Sequence, residues 1–136
     1  MIGDVHAALA DLAAVSSEIA GADAAEGTII DGVFDGNSTE PGPSKFVKDF
    51  TAANGKAPGE SAALSYDSFF VFLKAVEDGA KDRKSVIDKT NSISSFDLPI
   101  GGPFSFNETH EPKIEAGKTS TVLLQVKDGK IGSYSK

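Results

Sequence analysis

The sequence predicts a fold that mixes helices and strands, α/β or α+β. Two observations predict it: apolar residues recur at helical spacing through the first two-thirds of the chain, and short β segments with turn signals follow Pro99. The chain has 136 residues, of which 40% are hydrophobic and 24% charged, as is usual for globular proteins. We therefore expect one domain with a single sizeable core.

Four helices are predicted from apolar residues at three- and four-residue steps. They cover residues 7–20, 44–53 and 61–78 and a short segment from the N-cap Asp82 through Ile87. Gly21 and Gly55 follow the first two, as expected just past a helix end. The third helix is apolar around nearly its whole circumference from Phe69 to Leu73, so we expect it to be covered on more than one side.

The strands are predicted at residues 28–34, 103–106, 121–126 and 131–134, and residues 35–43 are predicted as a loop. Asp128-Gly129 predicts a hairpin between the last two strands. Only one clear strand precedes residue 98. We therefore expect an incomplete sheet in which residues 28–34 are poorly paired.

Composition excludes several classes of function. Acidic residues exceed basic ones by seven, which disfavours nucleic-acid binding because that affinity comes mainly from Lys and Arg. Cysteine is absent, so a disulfide, a thiolate metal site and a thiol nucleophile are excluded. No apolar run approaches ~18 residues, so no membrane-spanning helix is predicted. The first residues lack the features of an export signal, and none is predicted within this chain.

No constellation of catalytic residues is visible, so we expect neither an enzyme nor a bound cofactor. The chain has no Gly-x-Ser-x-Gly motif, and Gly101-Gly102-Pro103 is not a phosphate loop because proline removes a donor. Glu108 and Glu111 flank His110, which admits a metal cluster, but a polar hairpin turn is the favoured interpretation. No zinc-ligand spacing surrounds either His6 or His110.

Five stretches, in order, resemble the C-terminal part of type I periplasmic binding proteins, the branched-chain amino-acid receptor family of ABC transporters. They are residues 19–27, 46–58, 62–67 with 69–80, 102–107 and 122–130. The helix that begins Ala62-Ala63-Leu64-Ser65-Tyr66-Asp67 is similar to the family's Tyr-Asp helix, although Ser65 stands where the family usually has glycine. The hairpin also departs from the family, with Glu-Thr-His-Glu where an Asn-Gly turn is frequent.

The resemblance implies that the chain is the last part of a two-lobed fold, which explains the shortage of strands. It implies that residues 1–27 belong to the second lobe, 28–34 form a crossover strand, 35–120 belong mainly to the first lobe, and 121–136 return as a crossover with terminal strands. Most groups that hold the ligand then lie outside this sequence. We therefore expect no complete ligand pocket in this chain.

Few site residues follow from the resemblance. It implies that Ala63, three positions before Tyr66, is a wall of the ligand pocket, with a core alanine at a helix start as the alternative. It also implies an acidic ligand for the substrate ammonium, and Asp4 is the acid nearest to that place, although its spacing does not align cleanly. Tyr66 and Asp67 are implied to be structural, the ring against the sheet and the acid in the first helical turn.

The function implied is the extracytoplasmic, periplasmic or extracellular, substrate-binding component of an ABC importer for amino acids or similar small polar solutes. Its partners would be that small molecule and the ABC permease, with no cofactor. The alternative is a ligand-sensing regulator of the same fold that acts on a protein partner. The shortage of strands and the apolar third helix further predict a homo-oligomer, a dimer with exchanged or edge-paired strands, or association with a missing N-terminal portion.

Overall fold

The structure is a computed structural model that describes residues 21–113 and 121–134. The helix predicted over residues 7–20 lies outside these residues. In chain order the elements are α1 (Ala22–Ala25), β1 (Ile29–Gly32), α2 (Pro41–Asn54), α3 (Glu60–Glu77), α4 (Arg83–Asn91), β2 (Phe96–Leu98), β3 (Gly102–Phe104), β4 (Val122–Lys127) and β5 (Lys130–Ser133). The described chain divides into two compact units, residues 21–61 with 121–134 (the sheet unit) and residues 62–113 (the helical unit).

The sheet unit contains a three-stranded antiparallel sheet in the order β1-β4-β5. β1 pairs with β4 in the register Ile30 to Leu124, and β4 pairs with β5 in the register Val126 to Ile131. Residues 28–34 therefore have a strand partner on one side, which the sequence did not predict. Among the described residues the sheet ends at β1, in agreement with the incomplete sheet that was predicted.

The core of the sheet unit lies on one face of β4. Leu124 and Val126 are buried while Leu123 is 52% exposed, as the two-residue period of a strand requires. Phe34 was predicted inside the strand but follows its end, and its ring packs edge-to-face on Phe46 of α2 at 5.8 Å. Phe34, from the loop after β1, and Phe46, from α2, are both buried and form part of the core of the sheet unit.

Turn chemistry decides the ends of two elements here. Asp128 and Gly129 have φ values of 52° and 69°, the two positive angles of a type I′ hairpin turn, which confirms the predicted hairpin. α2 begins at Pro41, three residues before the predicted start, because proline has a φ that suits the first helical turn. It ends at Gly55, whose φ of 71° lets its N–H reach the carbonyl of Thr51.

The helical unit consists of α3, α4 and the β2–β3 hairpin. The observed bounds of α3 agree with the prediction to within one residue at each end. Asp82 caps α4 as predicted: its side chain accepts the backbone N–H of Ser85, whose hydroxyl in turn accepts the N–H of Asp82. α3 begins at the boundary between the two units, since Glu60 and Ser61 belong to the sheet unit.

The β2–β3 hairpin differs from the sequence prediction. Residues 96–98 pair antiparallel with residues 102–104, whereas only a strand at 103–106 was predicted. The strand Phe96–Leu98 has only three residues, which is too few for the alternation of apolar and polar side chains to be recognised in the sequence. No helix among the described residues is both long enough and apolar enough to cross a membrane.

Candidate ligand-binding site

The first turn of α3 places a buried carboxylate against the end of β1. Glu60 is only 5% exposed. A Cβ built on Gly32, the last residue of β1, would lie 3.3 Å from Oε2 of Glu60 and 3.3 Å from a methyl of Leu124. Glycine at position 32 therefore leaves the space that this carboxylate occupies. Our sequence analysis missed Glu60, although an acid in the first turn of a helix is itself a recognisable signal.

Ala63 lies one turn further along α3 and is 3% exposed. A small buried side chain at the start of a helix fits a pocket wall and a packed core equally well. Asp4, the second predicted ligand residue, lies outside the described residues. The structure therefore describes one of the two predicted site residues, and the role of each stays a prediction.

Asp67 holds a loop rather than a ligand. Its carboxylate accepts the backbone N–H of Ile100 at 3.0 Å and that of Gly101 at 2.7 Å, and the residue is 9% exposed. Burial raises the pKa of Asp67, while the two hydrogen bonds act in the opposite direction. The implied place of Asp67 in the first helical turn is wrong, because α3 begins seven residues earlier at Glu60.

The loop that Asp67 holds connects β2 to β3. A Cβ built on Gly101 would stand 3.1 Å from Oδ2 of Asp67 and 3.4 Å from a methyl of Leu98, so a larger residue here would have to displace the carboxylate slightly. The carboxylate therefore anchors the β2–β3 hairpin to α3. On the same helix the ring of Tyr66 contacts that of Phe70, with the ring centroids 5.0 Å apart and the ring planes tilted by 49°.

The segment around His110 is the polar turn that the sequence favoured. Oδ1 of Asn107 accepts the backbone N–H groups of Thr109 and Glu111, and Phe106 bridges to Pro112 across the turn. Hydrogen bonds from the Thr109 hydroxyl and the Asn107 amide lower the pKa of Glu111. Within residues 21–113 and 121–134, no group of three or more His, Asp or Glu side chains is placed to hold a metal ion.

A groove lies between α3 and α4, in the helical unit. It is an open groove of about 640 Å³, lined mainly by apolar side chains with basic residues beside them: Phe72, Val76, Ala80, Lys81, Asp82, Arg83, Val86 and Ile87. Sequence analysis did not predict this groove, because it forms only where the two helices meet. It contains neither Ala63 nor Glu60.

Comparison with known proteins identifies the family. The family model described as "Periplasmic binding protein" matches residues 5–130. The chain belongs to the periplasmic binding protein family. No individually curated protein matches it in sequence. The family resemblance that we inferred from five stretches of the sequence is therefore confirmed, and with it the class of fold.

Solved structures of this family are similar to the chain over part of their length. A leucine-binding protein from Thermotoga maritima is 25% identical with a TM-score of 0.70, covering 90% of this chain and 33% of its own. An ABC transporter solute-binding protein from R. palustris, solved with benzoate, is 25% identical with a TM-score of 0.63, over 86% of this chain and 31% of its own. A substrate-binding protein from Desulfitobacterium hafniense, solved with Leu, shares the fold at 19% identity and a TM-score of 0.69, over 89% of this chain and 38% of its own.

The chain thus spans about one-third of the length of these periplasmic binding proteins. The family is composed of solute-binding proteins, which are not enzymes, and it works with ABC transporters. The incomplete sheet has its explanation in this coverage, because a partial fold contains only some of the strands.

Proposed function

We propose that this chain is part of the extracytoplasmic substrate-binding component of an ABC importer for amino acids or similar small polar solutes. The family match over residues 5–130 carries the proposal. The neighbours solved with Leu and with benzoate support a small organic solute that carries a carboxylate. All three neighbours are binding proteins, two of them of ABC transporters by name, which favours the importer over a regulator of the same fold.

In this proposal the ligand lies between two lobes. This chain supplies only part of those lobes. Residues 1–27 belong to the second lobe, 28–34 and 121–136 contribute crossover strands, and 35–120 belong mainly to the first lobe. The antiparallel pairing of β1 with β4 supports the assignment of two neighbouring crossovers. Closure of the lobes on the solute then favours the state that the permease recognises.

Ala63 and Asp4 are the residues we propose for ligand contact. Ala63 is small and enclosed at the start of α3, which suits a wall against the solute side chain. Asp4 would accept hydrogen bonds from the ammonium group, as a carboxylate does. Ala63→Val in the two-lobed protein is expected to weaken binding at least tenfold, whereas Ala80→Val, at another buried alanine, is expected to leave affinity unchanged.

A chain that supplies one-third of the fold is also expected to associate. We propose that it forms a homo-oligomer or binds the N-terminal portion of the same fold. The apolar residues of α3 that stay exposed support this proposal, because such surfaces mark interfaces.

Calorimetric titration with the twenty amino acids and benzoate tests the function. We expect no binding tighter than millimolar by the 136-residue chain, and binding tighter than about 100 μM by a polypeptide that adds the rest of the fold. Absence of any ligand for that longer polypeptide would refute the importer proposal. A micromolar site in the 136-residue chain would instead show that its pocket is self-contained.

A further inference from the structure

The outer edge of β5 is a place where another strand could extend the sheet. In the described part of the chain, β5 is the last strand of the order β1-β4-β5. Val126 of β4 donates its N–H to Thr28 at 3.0 Å and accepts the N–H of Gly27 at 2.9 Å, so both of its backbone groups point away from β5. Ile131 stands opposite Val126. Its own N–H and C=O therefore point away from β4, to the outer edge of the sheet.

This hairpin has a sequence that favours pairing with other chains. β4, Val122–Lys127, is rich in β-forming residues, has a single charge and contains neither proline nor glycine. β5 is only four residues long and begins with Lys130, two features that discourage pairing at an edge. The backbone groups that such pairing would use on β5 are those of Ile131 and, two positions further on, Ser133.

The loop after β1 reaches the same edge. The side-chain amide of Asn37 donates a hydrogen bond to the carbonyl of Ile131 at 3.2 Å, across 94 residues of sequence. The carboxylate of Asp35 accepts a hydrogen bond from the hydroxyl of Ser133. Residues 35–37, here called the strap, therefore connect the end of β1 with the outer edge of β5, on the far side of β4.

The strap has a fixed conformation of its own. Oδ1 of Asp35 accepts the backbone N–H of Asn37 at 2.8 Å, and the carbonyl of Asp35 accepts the N–H of Ser38 at 3.1 Å. Phe34, directly before the strap, is buried and packs on Phe46. Because the turn is already ordered at one end and within itself, its two contacts with β5 cost little further conformational entropy.

We propose that the strap closes the outer edge of β5 to pairing with β5 of a second copy of this chain. An incoming strand would have to use the carbonyl of Ile131, which Asn37 occupies. It would also have to pass the carboxylate of Asp35 beside Ser133, and pairing there would take that charge out of water. This inference does not depend on the proposed function. It excludes β5 as the edge of the sheet through which two copies associate.

Light scattering coupled to gel filtration tests the inference on the 136-residue chain. Asp35→Ala with Asn37→Ala, the open-edge variant, is expected to have at least twice the mass of the natural chain when both are loaded at about 200 μM. Asp49→Ala with Asn54→Ala removes the same two residue types from exposed, hydrogen-bonded positions on α2, and is expected to keep the natural mass. Equal masses for the open-edge variant and the natural chain at every concentration would overturn the inference, as would an equal increase in the control.

A third substitution locates the new contact. Ser133→Lys, added to the open-edge variant, places a positive charge on β5 and is expected to restore the natural mass, because lysine on an edge strand opposes pairing. Ala53→Lys, added to the same variant, places the same charge on the exposed side of α2 and is expected to leave the mass raised. A mass that stays raised with Ser133→Lys would mean that the copies associate elsewhere, which refutes the role of the strap.

Amide hydrogen exchange covers the case in which the open-edge variant fails to fold. Asn37→Ala alone removes the donor to Ile131 and keeps the turn at Asp35. The N–H of Ile131 in this variant is expected to exchange more slowly at about 200 μM than at about 2 μM, because pairing at the edge protects it, whereas in the natural chain its exchange is expected not to depend on concentration. Exchange that is independent of concentration in both proteins, or that slows equally in both, would overturn the inference.

Discussion

The two compact units bury different kinds of side chain. The sheet unit encloses large ones, with Phe34 and Phe46 packed together beside Leu124 and Val126. In the helical unit the most buried apolar residues are mainly alanines, at positions 63, 75 and 80, while its large rings on α3 remain exposed. Large apolar side chains are usually buried in a folded protein when another helix or strand packs against them. The difference indicates that the described elements enclose large side chains in the sheet unit but leave most of those on α3 of the helical unit uncovered.

The largest expected difference in stability comes from removing one phenylalanine ring in each unit. Phe46→Ala removes a ring that packs on Phe34 and Phe50, and is expected to lower the free energy of unfolding by about 3–5 kcal/mol. Phe72→Ala is expected to cost about 1 kcal/mol or less at concentrations where the chain is monomeric, because half of that ring is already in water. Urea unfolding followed by circular dichroism measures both.

Equal costs for the two substitutions would contradict the comparison. That result would mean that the ring of Phe72 is already covered within one chain, in which case the helical unit has a more complete core.

The next effect concerns the anchor between α3 and the β2–β3 hairpin. Asp67→Asn replaces one acceptor oxygen by an NH₂ group that cannot accept the N–H of Ile100 or Gly101, at an expected cost of about 1–3 kcal/mol in unfolding free energy. Glu77→Gln, an exposed acid on the same helix, is the matched control and is expected to change little. A loss confined to Asp67→Asn would show that the helical unit is held by polar contacts where its apolar core is thin.

The pH dependence of that anchor has a definite sign. Burial raises the pKa of Asp67, so the folded state holds the proton more tightly than the unfolded state does. The contribution is present below the unfolded pKa and is lost as the pH rises through the folded pKa. As the pH rises from below the unfolded pKa through the higher folded pKa, the stability of the natural chain relative to Asp67→Asn is expected to fall.

An increase of this difference with pH would mean that the two backbone hydrogen bonds outweigh burial. Chemical unfolding of both proteins at each pH, with the same denaturant, distinguishes the two results.

A smaller effect is expected at the start of α4. Asp82→Ala removes the capping box with Ser85, and amide hydrogen exchange in the first turn of α4 is expected to become faster while α2 is unaffected. Hydrogen bonds from Ser85 lower the pKa of Asp82, so this contribution is present above the unfolded pKa and is lost as the pH falls through the folded pKa. Unchanged exchange would show that packing, and not the cap, fixes where α4 begins.

The smallest effects are expected at two exposed ion pairs, one chosen from each unit. Lys45 pairs with Asp49 on α2, and Lys84 pairs with Asp88 on α4 at 2.6 Å, both four residues apart and exposed. Lys45→Ala and Lys84→Ala are each expected to change the free energy of unfolding by about 0.5 kcal/mol or less, and less still in high salt. A larger loss at either site would show that ion pairs contribute to the difference between the units.

Local chemistry was sufficient to predict both ends of α3, the end of α2, the start of α4 and one hairpin. The N-cap Asp82, the glycine after α2 and Asp128-Gly129 each act through atoms a few residues away, so their signals are contained in the sequence. The start of α2 was placed too late because Pro41 was read as part of a loop, although proline is equally suited to a first helical turn. The β2 strand was missed because three residues carry no usable period.

The candidate site was less accessible to sequence reasoning. Ala63 came from the resemblance to a family, whereas Glu60 is a surface-type residue whose burial depends on the glycine at the end of β1. Charged side chains are rarely buried, so a glutamate at position 60 is expected from sequence to be exposed. Only the approach of two segments that are 28 residues apart in the chain produces the enclosed carboxylate.

The sequence by itself determined the three longer helices α2, α3 and α4, the cap of α4 and the family to which the chain belongs, because these depend on short-range hydrogen bonds, on helical spacing and on ordered motifs. The tertiary structure decided which faces are buried. It pairs β1 with β4 across about ninety residues, ties Asp67 to the loop before β3, and leaves Phe69 and Phe72 in water. Burial depends on which partner surfaces are present, and hydrophobic attraction has no direction that a local sequence pattern could specify.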